Sequence, residues 1–149
     1  MDITLSKTAD YAVRAALALA ESGRDGSYVT IAQVAEQMAL PRTFTPHVLA
    51  LLAHADIAES KAGRGGGYRL TRSPKRISML DVVEAAEGSL ANERCTMRGG
   101  PCHWEDRCAV HDTWVKAAQA LRRSLARTSL AEVAAADMAA AATMGGGAT

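Results

Sequence analysis

Aromatic side chains are scarce in this 149-residue chain, with one Phe, two Trp and three Tyr, or 4% of the whole. Little is available to cover the pleated faces of a large sheet, while the 48% hydrophobic content is rich in alanine, the best helix former. No long apolar run is present, and the opening MDITLSKTADYAVR lacks an apolar stretch of signal-peptide type. Cysteine is limited to three, an odd number that does not suit the disulfide framework of a secreted protein. A soluble cytoplasmic protein in a reducing compartment, without a membrane partner, is therefore expected. Excess charge is also missing. The net value is +1, so charge alone does not announce a nucleic-acid partner, although Arg64, Arg69, Arg72, Lys75 and Arg76 crowd one short stretch. There is no triad spacing and no cofactor loop. The GRGGG run lacks the following helix and the Lys-Ser ending of a phosphate-binding loop, so an enzyme is not expected.

What is present has a clear order. Residues 6–22 repeat Ala9, Ala12, Val13, Ala16, Leu17 and Ala20 at helical spacing. Thr30-Ile31-Ala32-Gln33 is a capping-box pattern that opens a second helix running to about Ala39. After Leu40-Pro41-Arg42, a third apolar series follows with Phe44, Val48, Leu49, Leu51 and Leu52. Two helices around a tight break make a helix-turn-helix. Pro46 fits only a first turn, so this third helix is expected to begin between Arg42 and Thr45, with Thr45 and Pro46 as cap and first position. Ile57–Glu59 and Tyr68–Leu70 flank the glycine cluster and read as a hairpin, a wing after the helix pair. Ser78 opens a further helix that Gly88 ends. After Cys108, Val110, Trp114, Ala118, Leu121 and Leu125 form a narrow stripe suited to a partner helix. Ser129-Leu130-Ala131-Glu132 caps a last, alanine-rich helix whose end is low-complexity.

A recognition helix places its N-terminal residues against base edges, which selects Arg42, Thr43 and His47 as DNA contacts. In the wing, glycines permit close backbone approach, and Lys61 and Arg64 can reach phosphates or a minor groove. The plainer alternatives are solvated side chains and an ordinary glycine-rich hairpin.

All three cysteines, Cys95, Cys102 and Cys108, fall within the fourteen residues CTMRGGPCHWEDRC. Three thiolates aimed at one point bind a soft metal or an iron–sulfur cluster. Zinc sites favour closer pairs than the six- and five-residue gaps found here. Redox-sensing thiols are another reading, given Arg94, Arg98 and Arg107 nearby. A fourth ligand must come from elsewhere. His111, three residues after Cys108, is a candidate on the same helical face, with His103, Glu105 and Asp106 as others.

Five segments together resemble the Rrf family of bacterial winged-helix regulators, the group that holds IscR, NsrR and RirA. They are ITLSKTADYAVRAALALA, LPRTFTPHVLALLAHADI, GRGGGYRL, ISMLDVVEAAEG and the three-cysteine segment, and the resemblance spans residues 3 to about 135. It implies a mainly α, winged helix-turn-helix fold with a long C-terminal dimerisation helix. The expected divisions are a DNA-binding domain at 1–77, a cluster-binding loop and dimerisation helix at 78–135, and a low-complexity tail at 136–149. It further implies a homodimer, a cluster held by Cys95, Cys102 and Cys108 in each subunit, and cluster-dependent affinity for a palindromic double-stranded operator. For the fourth ligand, Asp10 donated in trans matches the NsrR-like pattern and a four-iron cluster. His111 matches the IscR-like pattern and a two-iron cluster. The reading leans to Asp10, because an aromatic, Ala, an aliphatic and Arg follow it. Where the IscR pattern has arginine before the first wing glycine, this chain has Ala62. The expected function is an iron–sulfur-dependent transcriptional repressor sensing nitric oxide, redox state or iron supply. The alternative is a thiol- or zinc-based winged-helix regulator without a cluster.

Overall fold

The computed structural model describes residues 4–90 and 108–146. Among the described residues, six α-helices and one two-stranded sheet follow in the order α1 (Lys7–Ser22), α2 (Ile31–Gln37), α3 (Thr45–His54), β1 (Ala58–Lys61), β2 (Gly67–Leu70), α4 (Met79–Glu87), α5 (His111–Arg127) and α6 (Leu130–Gly145). A short 3-10 turn at Pro74–Arg76 precedes α4.

Helix starts are chemically determined. Ser6 caps α1 by accepting from the Ala9 N–H. Complete capping boxes open α2 (Thr30 with Gln33), α4 (Ser78 with Asp81) and α6 (Ser129 with Glu132). Each satisfies two backbone donors that the first turn would otherwise leave unpaired. α3 starts within the expected span, but the role of Thr45 differs from the sequence expectation. Thr45 is the first helical residue and not its cap; Phe44 holds the cap position without a side-chain bond, and Pro46 sits in the first turn. The Thr45 hydroxyl instead donates to the Pro41 carbonyl at 2.8 Å, and the side chain is buried. That bond to the preceding turn satisfies the buried hydroxyl. Between α2 and α3, Ala39 adopts φ 51°, a left-handed conformation that glycine usually takes.

α1 is the centre of the core. Its alanines at 12, 15, 16 and 18 are fully buried, which lets α3, α4 and α6 approach closely. Val48, Leu49 and Leu52 come from α3, Val82 from α4 and Leu130 from α6. α6 is stitched to the start of α4: the Leu130 N–H donates to Ile77 O at 2.8 Å and the Met79 N–H to Thr128 O at 2.9 Å. α5, in contrast, buries no residue fully; it packs chiefly along α4, with Leu125 half-buried against the core.

Candidate nucleic-acid interface and thiol site

The wing is built by pairing. β1 and β2 run antiparallel with Glu59 opposite Arg69 and Lys61 opposite Gly67. Val29 and Tyr68 exchange two backbone hydrogen bonds at 2.8 Å, adding a third segment and tying the wing to the chain just before α2. The glycines serve this architecture. A Cβ on Gly66 would lie 2.2 Å from Lys61 O, and one on Gly67 would lie 2.3 Å from Val29 O. Gly63 and Gly65 instead supply positive φ at the open tip. At the wing's base, Tyr28 stacks under the Arg69 guanidinium at 4.6 Å and faces the Lys61 ammonium at 5.6 Å. Arg69 also pairs with Glu59. That hydrogen bond is the main reason its guanidinium holds its proton even more firmly than usual. Tyr28 and Glu59 were not singled out from sequence, and Arg69 only as one of a crowded basic stretch; the cross-strand register that joins Glu59 to Arg69 becomes visible only once the hairpin is aligned.

Arg42 and Thr43 are exposed in the turn before α3, and His47 is exposed within its first turn. The His47 ring rests on Phe44 at 5.1 Å, and Phe44 meets Tyr11 of α1 edge-on at 5.7 Å. An aromatic ladder from the core thus sets the pose of His47. Lys61 and Arg64 are exposed on the wing. A cleft of about 450 Å³ lined by Thr30, Ile31, Ser60, Lys61 and Ala62 separates α2 from the wing.

Of the proposed thiol ligands, Cys108 is described; Cys95 and Cys102 lie outside the described residues, as do His103, Glu105 and Asp106. Cys108 is a free, half-buried thiol at the head of α5. The His111 N–H donates to its carbonyl at 3.2 Å, so the two residues occupy one turn. Asp10 is half-exposed in the first turn of α1, where its Oδ1 accepts from Arg14 Nε at 3.1 Å. Its Oδ2 and the His111 ring have no hydrogen-bond partner among the described residues. Thiol, carboxylate and imidazole donors of this kind suit iron in a sulfide cluster.

Comparison with known proteins settles the class. The Rrf2 family pattern, described as an iron-dependent transcriptional regulator, matches residues 5–136. The chain belongs to the Rrf2 family. It is 30% identical over 129 residues to the HTH-type transcriptional regulator IscR of Xenorhabdus nematophila, covering 87% of this chain and 77% of that one. Among solved structures, IscR of T. potens superposes with a TM-score of 0.68 at 25% identity, covering 89% of this chain and 87% of that one. CymR, described as the global cysteine regulator of B. subtilis, gives a TM-score of 0.74 at 20% identity over 90% of this chain and 98% of that one, a likeness of fold. The expected mainly α winged-helix architecture is thus observed. As an Rrf2 regulator the protein is a DNA-binding transcription factor and not an enzyme. No helix among the described residues is long and apolar enough to cross a membrane.

Proposed function

We propose that this Rrf2 protein is an iron–sulfur-dependent repressor that binds a palindromic operator as a homodimer and responds to nitric oxide, redox state or iron supply. The observation that carries the reading is the placement of Cys108, the last of three clustered cysteines, as a free thiol at the head of α5 beside His111. Cys95, Cys102 and Cys108 hold the cluster. Asp10 of the second subunit, favoured with four irons, or His111, with two, completes it. When bound, the cluster supplies a reactive iron centre that oxidants and nitric oxide attack. A carboxylate or imidazole ligand is released more readily than a thiolate, which suits a sensor. Arg42, Thr43 and His47 enter the major groove, and Lys61 and Arg64 follow the backbone beside it.

The dimer forms through the outer stripe of α5. Val110 and Leu121 are 41% and 47% exposed, unusual for large apolar residues, and a second copy of the stripe covers them. Release of the ligands frees the segment between α4 and α5 and changes the separation of the two recognition helices, so operator affinity follows.

Oxygen-free native mass spectrometry of the dimer, with visible absorption and operator binding of wild type and Cys102→Ala, tests this reading. Iron and sulfide in the wild type, lost in the variant together with its effect on operator binding, are expected. A metal-free wild type after reconstitution overturns the cluster. Zinc without sulfide supports the zinc-based regulator instead.

A further inference from the structure

The last turn of α4 carries two carboxylates, Glu84 and Glu87, at the negative end of the helix dipole, with no basic residue in that turn. Local electrostatics disfavours both. Each is nevertheless engaged by a different segment of the chain. Glu84 Oε1 accepts from the Leu90 N–H at 2.9 Å, where the chain leaves for the cysteine segment. The same oxygen takes Arg122 Nη2 of α5 at 3.4 Å. Glu87 Oε1 accepts from the Ser6 N–H at 2.9 Å, and Ser6 O in turn accepts from the Asp10 N–H at 2.9 Å. One helical turn therefore grips the cysteine segment's entry, the helix that follows it and the start of the helix bearing Asp10. On its other face α4 packs against α3 through the buried core. The buried Arg122 Nε has no acceptor among the described residues, so the α4–α5 contact is incompletely satisfied in this arrangement.

We propose that the C-terminal turn of α4 is the junction through which the state of the thiol site reaches the recognition helix, with Glu84 and Glu87 as positioning residues. This rests on the cluster reading above. The path needs no contact between the cysteine segment and α3. A shift of Leu90, α5 or the Asp10 turn pulls on a carboxylate of α4, and the close-packed interface of α4 with α3 passes the displacement on. Glu84 is the most informative position, because a single oxygen serves two of the three connections. The ion pair with Arg122 is partly exposed and contributes little to stability by itself. Its significance lies in geometry.

The test uses the full-length protein, prepared without oxygen, in loaded and cluster-free forms. Operator affinity is measured in both forms for wild type, Glu84→Ala, Glu84→Gln and the exposed control Arg123→Ala. Glu84→Ala should bring the ratio of loaded to cluster-free affinity about five-fold or more closer to unity, with iron and sulfide content unchanged. Glu84→Gln, which keeps an acceptor for Leu90, should fall between, and the control should keep the wild-type ratio. In the cluster-free protein, amide exchange at Leu90 and along residues 114–122 should accelerate at least about ten-fold in Glu84→Ala, and exchange at Val34 should not change. A wild-type ratio in Glu84→Ala, or an equal loss in Arg123→Ala, overturns the junction while the cluster reading stands. A wild type that takes up no iron defeats the cluster reading and, with it, the junction that rests on it.

Discussion

Gly67 lies so close to Val29 that a Cβ would sit 2.3 Å from the Val29 carbonyl oxygen and 2.6 Å from its carbonyl carbon. Both obstacles are backbone, and φ at Gly67 is 139°, where side chains are rarely tolerated. Gly67→Ala must therefore break the Val29–Tyr68 pairing that fastens the wing. A loss of roughly 2–3 kcal/mol is expected, read as a lower urea midpoint. Operator affinity should drop as well, since the wing would lose its fixed pose. An alanine variant as stable as wild type would contradict this account of the glycine cluster.

The two halves of the proposed interface should respond differently to substitution. Arg42→Ala, at the head of α3, should cost about 1–3 kcal/mol on the cognate operator and relax preference at one base position. Lys61→Ala should weaken cognate and random duplexes alike and reduce the salt slope by about one. Fluorescence anisotropy over a salt series measures both. Identical profiles for the two variants would remove the distinction between base contact and backbone contact.

Leu121 is an exposed leucine on a helix with no fully buried residue. Leu121→Glu should place a charge in the stripe proposed to pair and convert the proposed dimer to monomer at micromolar concentration without unfolding α1 to α4. Sedimentation velocity together with circular dichroism gives the answer. A dimer of unchanged affinity would place the subunit contact elsewhere.

Glu21 and Glu132 make the docking of α6 depend on pH with opposite signs. Burial, followed by the neighbouring Asp137 carboxylate, raises Glu21 above its usual value near 4.5, despite Gln37 and Arg24. A raised carboxyl favours the folded state when protonated, so this contribution is full below about 4.5 and disappears as pH rises through the higher folded value. Glu132 is lowered, chiefly by the Ser129 backbone N–H that it accepts in the capping box. Its contribution is present above the usual value and fades as pH falls through the lowered one. Glu21→Gln should accordingly gain stability over wild type as pH is raised from 4.5 to 7, while Glu132→Gln should lose its deficit in acid. Thermal unfolding across pH 3–8 would show the two curves diverging at opposite ends; parallel curves would reject both assignments.

Local chemistry written in adjacent residues was readable without coordinates. Ser or Thr three places before Gln, Asp or Glu marked the starts of α2, α4 and α6, because a capping box needs only that spacing. The hairpin followed from its glycines, although β1 runs on to Lys61 and β2 begins at Gly67, one or two residues beyond the expected limits. The stripe of α5 was visible in its period; Val110 and Leu121 are exposed, whereas Trp114, Ala118 and Leu125 are half-buried. Thr45 was misplaced because a threonine next to proline can cap or be buried, and only its hydroxyl's hydrogen bond to the Pro41 carbonyl decides between them.

The sequence alone established a helical, winged architecture and a trio of clustered thiols, since capping, periodicity and cysteine spacing act over a few residues. Tertiary structure alone decided that α6 returns to lie against α1, that Tyr28 meets Arg69, and that Glu87 reaches Ser6 across 81 positions. Such contacts join residues distant along the chain. They are set by which buried faces fit together, and no short pattern encodes that fit.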